Sequence, residues 1–141
     1  MVWMDFKFTK RMANIARQDG KMKTIICDID GTIFMYPKGS IDEMTRVTPT
    51  LLPGVKDWFD KWEKRGDNII LITGRRESLR ERTETVLYEA GIPYDVLLMG
   101  YCDEGRILIN DVGSRGQCKA WAHSLERDAG FDFDDTREGI L

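Results

Sequence analysis

Short apolar runs of strand length recur along this chain, each stopping at a polar residue and each separated from the next by a segment of helical period. The plainest is Asn68 to Ile72 (NIILI), unbroken by any polar alternation, which is the pattern of a strand buried on both faces. Lys23 to Phe34 (KTIICDIDGTIF) begins the same way, and Tyr94 to Met99 (YDVLLM) and Arg106 to Asn110 (RILIN) continue the series. Strands that alternate with helices pair in parallel through right-handed crossovers. The expectation is an α/β, Rossmann-like three-layer sandwich with a mainly parallel sheet in the order 3-2-1-4 and no separate cap domain.

The helices between the runs are legible from their apolar stripes. Val55, Trp58, Phe59 and Trp62 recur at helical spacing in Leu51 to Arg65, with Pro53 suited to a first turn and Gly66 to an end. Glu77 to Ala90 carries Glu and Arg three and four apart on an exposed face, with Leu79, Val86 and Leu87 turned inward. Ser114 to Ala129 reads as a last helix with Cys118, Trp121, Ala122 and Leu125 inside. One length conflicts with this scheme. Between Met99 and Arg106 there is too little chain for a helical crossover, and an extended connection would reach roughly 25 Å at most.

With 141 residues, 42% of them hydrophobic, the chain suits one compact domain. Its limits are expected at 23–130, after a helical extension over 1–22 that ends near Asp19-Gly20, and before an acidic tail over 131–141. The formal net charge of −3 comes from mixed acids and bases and forms no basic stripe, which weighs against a polynucleotide or an anionic membrane. Three cysteines without paired spacing argue against zinc and against a disulfide framework, and fit a reducing, cytoplasmic setting. No run reaches membrane-spanning length.

Chemistry is concentrated where the strands stop. In the first run Asp28 and Asp30 follow the apolar stretch, and Gly31 lets the chain curl so that the second carboxylate can approach the first. One such acid can attack while the other moves the proton. The second strand runs into Thr73-Gly74-Arg75-Arg76, where a hydroxyl and free amides can hold phosphate oxygens and glycine permits close approach. Arg75 and, from the loop 34–50, Lys38 are candidate contacts to an anionic substrate. The fourth run ends at Asn110-Asp111, and the crevice where a sheet's winding reverses is a common ligand site. An acid there beside Asp28 and Asp30 would make an oxygen-lined place for Mg²⁺.

The pattern Asp28-x-Asp30-Gly31-Thr32 resembles the first motif of the haloacid dehalogenase (HAD) superfamily, most of whose members are magnesium-dependent phosphotransferases. The resemblance covers about Lys23 to Gly130. It implies that Asp28 takes up the phosphoryl group as an aspartyl phosphate, that Asp30 serves as acid and then base, and that Thr73 hydrogen-bonds the phosphoryl group, with Gly31, Thr32 and Gly74 around it. The magnesium ligands it implies are Asp28, Asp30 through its carbonyl, and Asp111, with Asn110 orienting water. Two departures stand out. The fourth motif usually offers two acids, and here one is Asn110; the third-motif lysine is missing, since no lysine occurs between Lys64 and Lys119. Arg106 is assigned that role, with Lys119 in reserve.

The loop 34–50 is too short for a folded cap, so the site is expected to be open or closed by a partner subunit. The expected activity is hydrolysis of a phosphate monoester. A small phosphorylated metabolite, sugar phosphate or nucleotide, ranks above the 3′-phosphate end of a nucleic acid, because the charge balance is acidic. The rival is a non-catalytic module that binds phosphate or a protein partner.

Overall fold

A computed structural model of the chain describes residues 22–101 and 104–133, excluding the side chains of residues 41, 42 and 44. The helical extension expected before residue 22, Cys102 and the tail beyond residue 133 lie outside the described residues.

Three parallel strands form the sheet: β1 (Thr24–Asp28), β2 (Asn68–Ile72) and β3 (Val96–Leu98), in the order β1-β2-β3. Thr24 lies opposite Asn68 and Asp28 opposite Ile72, while Ile70 lies opposite Val96 and Ile72 opposite Leu98. Between β1 and β2 come the short helix α1 (Ile41–Arg46) and α2 (Val55–Arg65). Between β2 and β3 come a 3₁₀ turn (Glu77–Leu79) and α3 (Arg80–Glu89). Gly66, with φ of 86°, ends α2 in the left-handed region, its N–H donating to the carbonyls of Trp62 and Glu63.

Side-chain alternation divides the sheet into two unlike faces. Cys27, Ile69, Leu71 and Leu97 point into the core, where they join Val55, Phe59 and Trp62 of α2 and Val86 and Leu87 of α3. On the opposite face Ile26 is 51% exposed and Val96 43%. With strand order 1-2-3, right-handed crossovers put both helices on one side. Among the described residues this is the α/β, Rossmann-like arrangement expected, a parallel sheet with helical crossovers, and of the order 3-2-1-4 it contains the first three strands.

The N-terminal ends of the strands are closed by structural acids. Fully buried Asp67 accepts the Lys23 backbone N–H (2.9 Å) and the Arg65 guanidinium, and Asp95 accepts the Ile69 N–H (2.7 Å). Such bonds satisfy backbone donors that the ladder leaves unpaired at its end.

The chain beyond β3 departs from expectation. Residues 106–110 form no strand and residues 114–129 no helix. Ile107 is 91% exposed and Ile109 88%, so their apolar side chains bury almost nothing. The short connection after Met99 accounts for the missing strand, since it cannot carry a helical crossover back over the sheet to the outer edge of β1. Gly116 and Asp128 have positive φ, 76° and 65°, which would bound a helix within 114–129, but the residues between them form none.

Two contacts tie this irregular segment to the core. Phe131 is buried against Phe59 and Trp62, and Phe133 stands edge-on to Trp58 with ring centroids 5.1 Å apart. The backbones come close at the same place: the Phe131 N–H donates to the Pro53 carbonyl (2.9 Å), and a Cβ on Gly54 would lie 2.4 Å from the Phe131 oxygen. Gly54 also has φ of 74°, so a side chain there is excluded by both strain and space. Phe131 to Phe133, assigned from sequence to the tail, thus pack with the domain.

Candidate active site

The carboxyl end of the sheet gathers the polar residues of the first two runs. After Asp28 the chain turns sharply, with the Ile29 carbonyl accepting N–H groups from Thr32 (3.2 Å), Ile33 (2.8 Å) and Phe34 (3.2 Å). Gly31 has φ of 79°, the left-handed conformation this turn requires. The turn leads into a flap over residues 35–50 whose root is antiparallel: Met35 N–H donates to Thr50 O, and Leu52 N–H to Ile33 O, both at 2.9 Å.

Asp28 is one-third exposed and its two oxygens have different partners. Oδ2 accepts the Thr32 hydroxyl (3.3 Å), and Oδ1 accepts Arg106 Nη2 (3.1 Å). Arg106 thus reaches the carboxylate to which its sequence role assigned it, although no fourth strand carries it there. Lys119, the reserve candidate, instead pairs with Asp111.

Asp30 is held more firmly. Arg75 grips it with two bonds, Nε to Oδ2 at 2.8 Å and Nη2 to Oδ1 at 2.6 Å, while Nη1 donates to the buried Thr83 hydroxyl of α3 (3.1 Å). Both partners of this pair are largely buried. A bidentate guanidinium fixes the carboxylate's plane as well as its charge. The substrate contact expected of Arg75 is therefore, in this arrangement, a contact to Asp30.

Thr73 follows Ile72, which is paired with Asp28, so the two motifs end side by side. The Thr73 side chain is buried, and its hydroxyl accepts the Arg75 N–H at 3.1 Å across Gly74. Cys27, beside Asp28, has its thiol pushed well above the ordinary range, first by burial and then by the Asp28 charge. It remains protonated and is no nucleophile.

A magnesium centre requires a third oxygen ligand near Asp28 and Asp30. Asp111 is not brought there: exposed, it is drawn to Lys119, and Asn110 is exposed beside it. No group of three metal-ligating acids, histidines or cysteines forms among the described residues. Asp28 carries the Arg106 guanidinium on Oδ1 and the Thr32 hydroxyl on Oδ2, where a metal would need an open oxygen. As arranged, the residues do not fit the ion. The cause is the unformed strand over 106–110, which was to deliver Asp111 to the β1 edge.

Two features escaped the sequence reading. Asp128, in the left-handed region with φ of 65°, donates its N–H to the Gly31 carbonyl (2.9 Å) and accepts the Tyr36 N–H on its carboxylate (2.6 Å). Its neighbour Arg127 lies over the Tyr36 ring, 4.3 Å from the centroid. Together they clamp the turn after Asp30 and the root of the flap. The second feature is a cavity of about 320 Å³ under the flap, whose lining includes Met35, Tyr36, Lys38, Val47, Arg75 and Val86.

A parallel sheet with helical crossovers, ending in Asp28-x-Asp30-Gly31-Thr32 and Thr73-Gly74-Arg75, is that of a HAD superfamily phosphatase, a phosphoric monoester hydrolase. Residues 22–106 match the polynucleotide kinase PNKP phosphatase domain, and the chain belongs to that family.

Among solved structures, a chain of the Pnkp1/Rnl/Hen1 complex is 31% identical with a TM-score of 0.50, covering 64% of this chain and 32% of that one. A chain of the Pnkp1/Rnl/Hen1 RNA repair complex is 32% identical at the same TM-score, covering 64% and 30%. This chain thus spans about a third of their length. The class C acid phosphatase from Bacillus anthracis, 21% identical with a TM-score of 0.50 over 67% of this chain and 48% of that one, shares the fold. No similar sequence was found among curated proteins.

Proposed function

We propose that the chain removes a terminal phosphate from a polynucleotide by way of an aspartyl phosphate on Asp28. The observation that carries the reaction is the placement of Asp28: at the carboxyl end of β1, partly open to solvent, aligned by the Thr32 hydroxyl and flanked by the Arg106 guanidinium. In the first step an Asp28 oxygen forms a bond to phosphorus as the bond to the leaving oxygen breaks, and Asp30, which takes a proton from solvent once Arg75 lets go of one of its oxygens, passes that proton to the leaving oxygen. In the second, water attacks the phosphorus, gives its proton to Asp30, and regenerates the Asp28 carboxylate with release of phosphate. Arg75 grips both oxygens of Asp30, so one must be released for either proton transfer. An arriving phosphate, itself a bidentate acceptor, competes for that guanidinium.

Magnesium, usual in the superfamily, has no complete donor set in this arrangement, and no step is assigned to it. The substrate class is supported by family membership and by the likeness to chains of the RNA repair complex. Whole-chain charge favoured a small metabolite, but a sum hides local concentration. Arg75 and Arg106 are paired with Asp30 and Asp28, but Arg127, over Tyr36, and Lys38, in the cavity lining, stand beside them as cations for a strand's other phosphates.

The test is phosphate release from a 3′-phosphorylated oligonucleotide by the wild type and by Asp28→Asn, each with Mg²⁺ and with chelator. Release by the wild type that falls to background in Asp28→Asn is expected. Equal release by both proteins would remove Asp28 as the nucleophile, and activity only with Mg²⁺ would mean that the donor set assembles on binding.

A further inference from the structure

The leaving oxygen must lie at Asp30, so the organic group that bears it must lie wherever space opens beside Asp30. Asp30 does not itself line the flap cavity, but two of the cavity's walls are joined to it. One is Arg75, bonded to both Asp30 oxygens; the other is the flap, which departs from Phe34 directly after the bridge between Asp30 and Phe34. Resting on the phosphatase reading above, we infer that this cavity receives the nucleoside that carries the scissile phosphate.

Its size and lining both point to that ligand. About 320 Å³ is at the small end of ligand sites, which run from about 300 to 1,000 Å³, and suits one nucleoside but no stack of bases. Met35, Pro37, Val47, Pro49 and Val86 present apolar surface, which suits the faces of a base, and Glu43, Thr48 and Thr50 set polar groups beside it for the base edge or the ribose. Lys38 adds a cation for the phosphate that links this nucleoside to the rest of a strand, although the Glu43 carboxylate shares the lining and offsets part of that charge. The wall is set before the ligand arrives: the Tyr36 backbone is tied to Asp128, and its ring lies under Arg127. A wall already ordered spares the ligand the cost of ordering it.

A base seated this way adds binding energy that an abasic end lacks. Phosphate release is compared for strands ending in a 3′-phosphorylated nucleoside, for the same strands ending in an abasic 3′-phosphate, and for the free nucleoside 3′-monophosphate. The wild type should favour the nucleoside end over the abasic end by about tenfold or more in kcat/KM, mostly through KM. Val47→Trp, at an exposed flap position, should bring that ratio toward one, and Thr48→Trp should act alike. A wild-type ratio near one, or a ratio unchanged in both variants, would overturn the inference while leaving the phosphatase intact.

Calorimetric binding of nucleoside 3′-monophosphate separates the opposite failure. If no end is hydrolysed yet the wild type binds the mononucleotide and Val47→Trp does not, the cavity is a nucleoside site on a chain that is not a phosphatase. Equal binding by the two proteins sinks the inference. Preference for the strand over the mononucleotide identifies a polynucleotide end as the source, and the reverse preference a free nucleotide.

Discussion

Residues 24–99 and residues 104–133 are built on different principles. The first stretch repeats one unit, strand then helix, and every apolar run in it finds a partner: β2 lies between β1 and β3, and α2 and α3 cover one face. The second has apolar residues of its own, yet it meets the domain at scattered points, among them the Arg106 pair with Asp28, Leu125 against the core, the clamp at Arg127 and Asp128, and the aromatic contacts of Phe131 and Phe133. Hydrophobicity alone does not make structure. A run becomes a strand only when the chain's connections can deliver it to an edge.

The contrast is sharpest in stability. Trp62→Ala should cost about 3–5 kcal/mol in urea unfolding, because the indole is buried and packs on Trp58, Phe59 and Phe131. A loss no larger than that of a surface substitution would mean that the aromatic cluster is not the core of the domain. Asp128→Ala should cost roughly 1–3 kcal/mol, by stranding the Tyr36 N–H and putting alanine in the left-handed region. It should also slow phosphate release, since the clamp holds the turn after Asp30. Unchanged stability and rate would show that the irregular segment bears on nothing in the site. The smallest effect belongs to Ile109→Ser, expected within about 0.5 kcal/mol of wild type in the same titration. If it costs several times as much, 106–110 is buried in solution and the two regions are not so unlike.

What could be read in the sequence follows the same division. β2 has the bounds that its apolar run suggests, because a strand flanked on both sides takes its register from its own hydrophobic pattern. The stripe Val55, Trp58, Phe59, Trp62 found its helix and its face for the same reason. Ile107, Leu108, Ile109, Cys118 and Trp121 carry similar local signals and misled, since these residues stay exposed and only Leu125 of the expected helix stripe packs on the core. The length from Met99 to Arg106 was the warning. Within the site, Asp28, Thr32 and Thr73 were legible as motif residues, whereas Asp128 was not. It acts on Tyr36 across 92 positions of chain, and no local pattern marks an aspartate for a backbone conformation that neighbours 92 residues away impose.

The pairing of Asp28 with Arg106 and of Asp30 with Arg75 has a consequence for how a strand is captured. Two carboxylates and two guanidiniums cancel, so the reacting centre offers a polyanion no net field of its own. Attraction at a distance must come from cations such as Lys38 and Arg127, which answer to phosphates other than the one removed. Each such phosphate sheds counterions on binding, and the slope of affinity against salt counts them. A mononucleotide, with none of those phosphates, would bind with little dependence on salt.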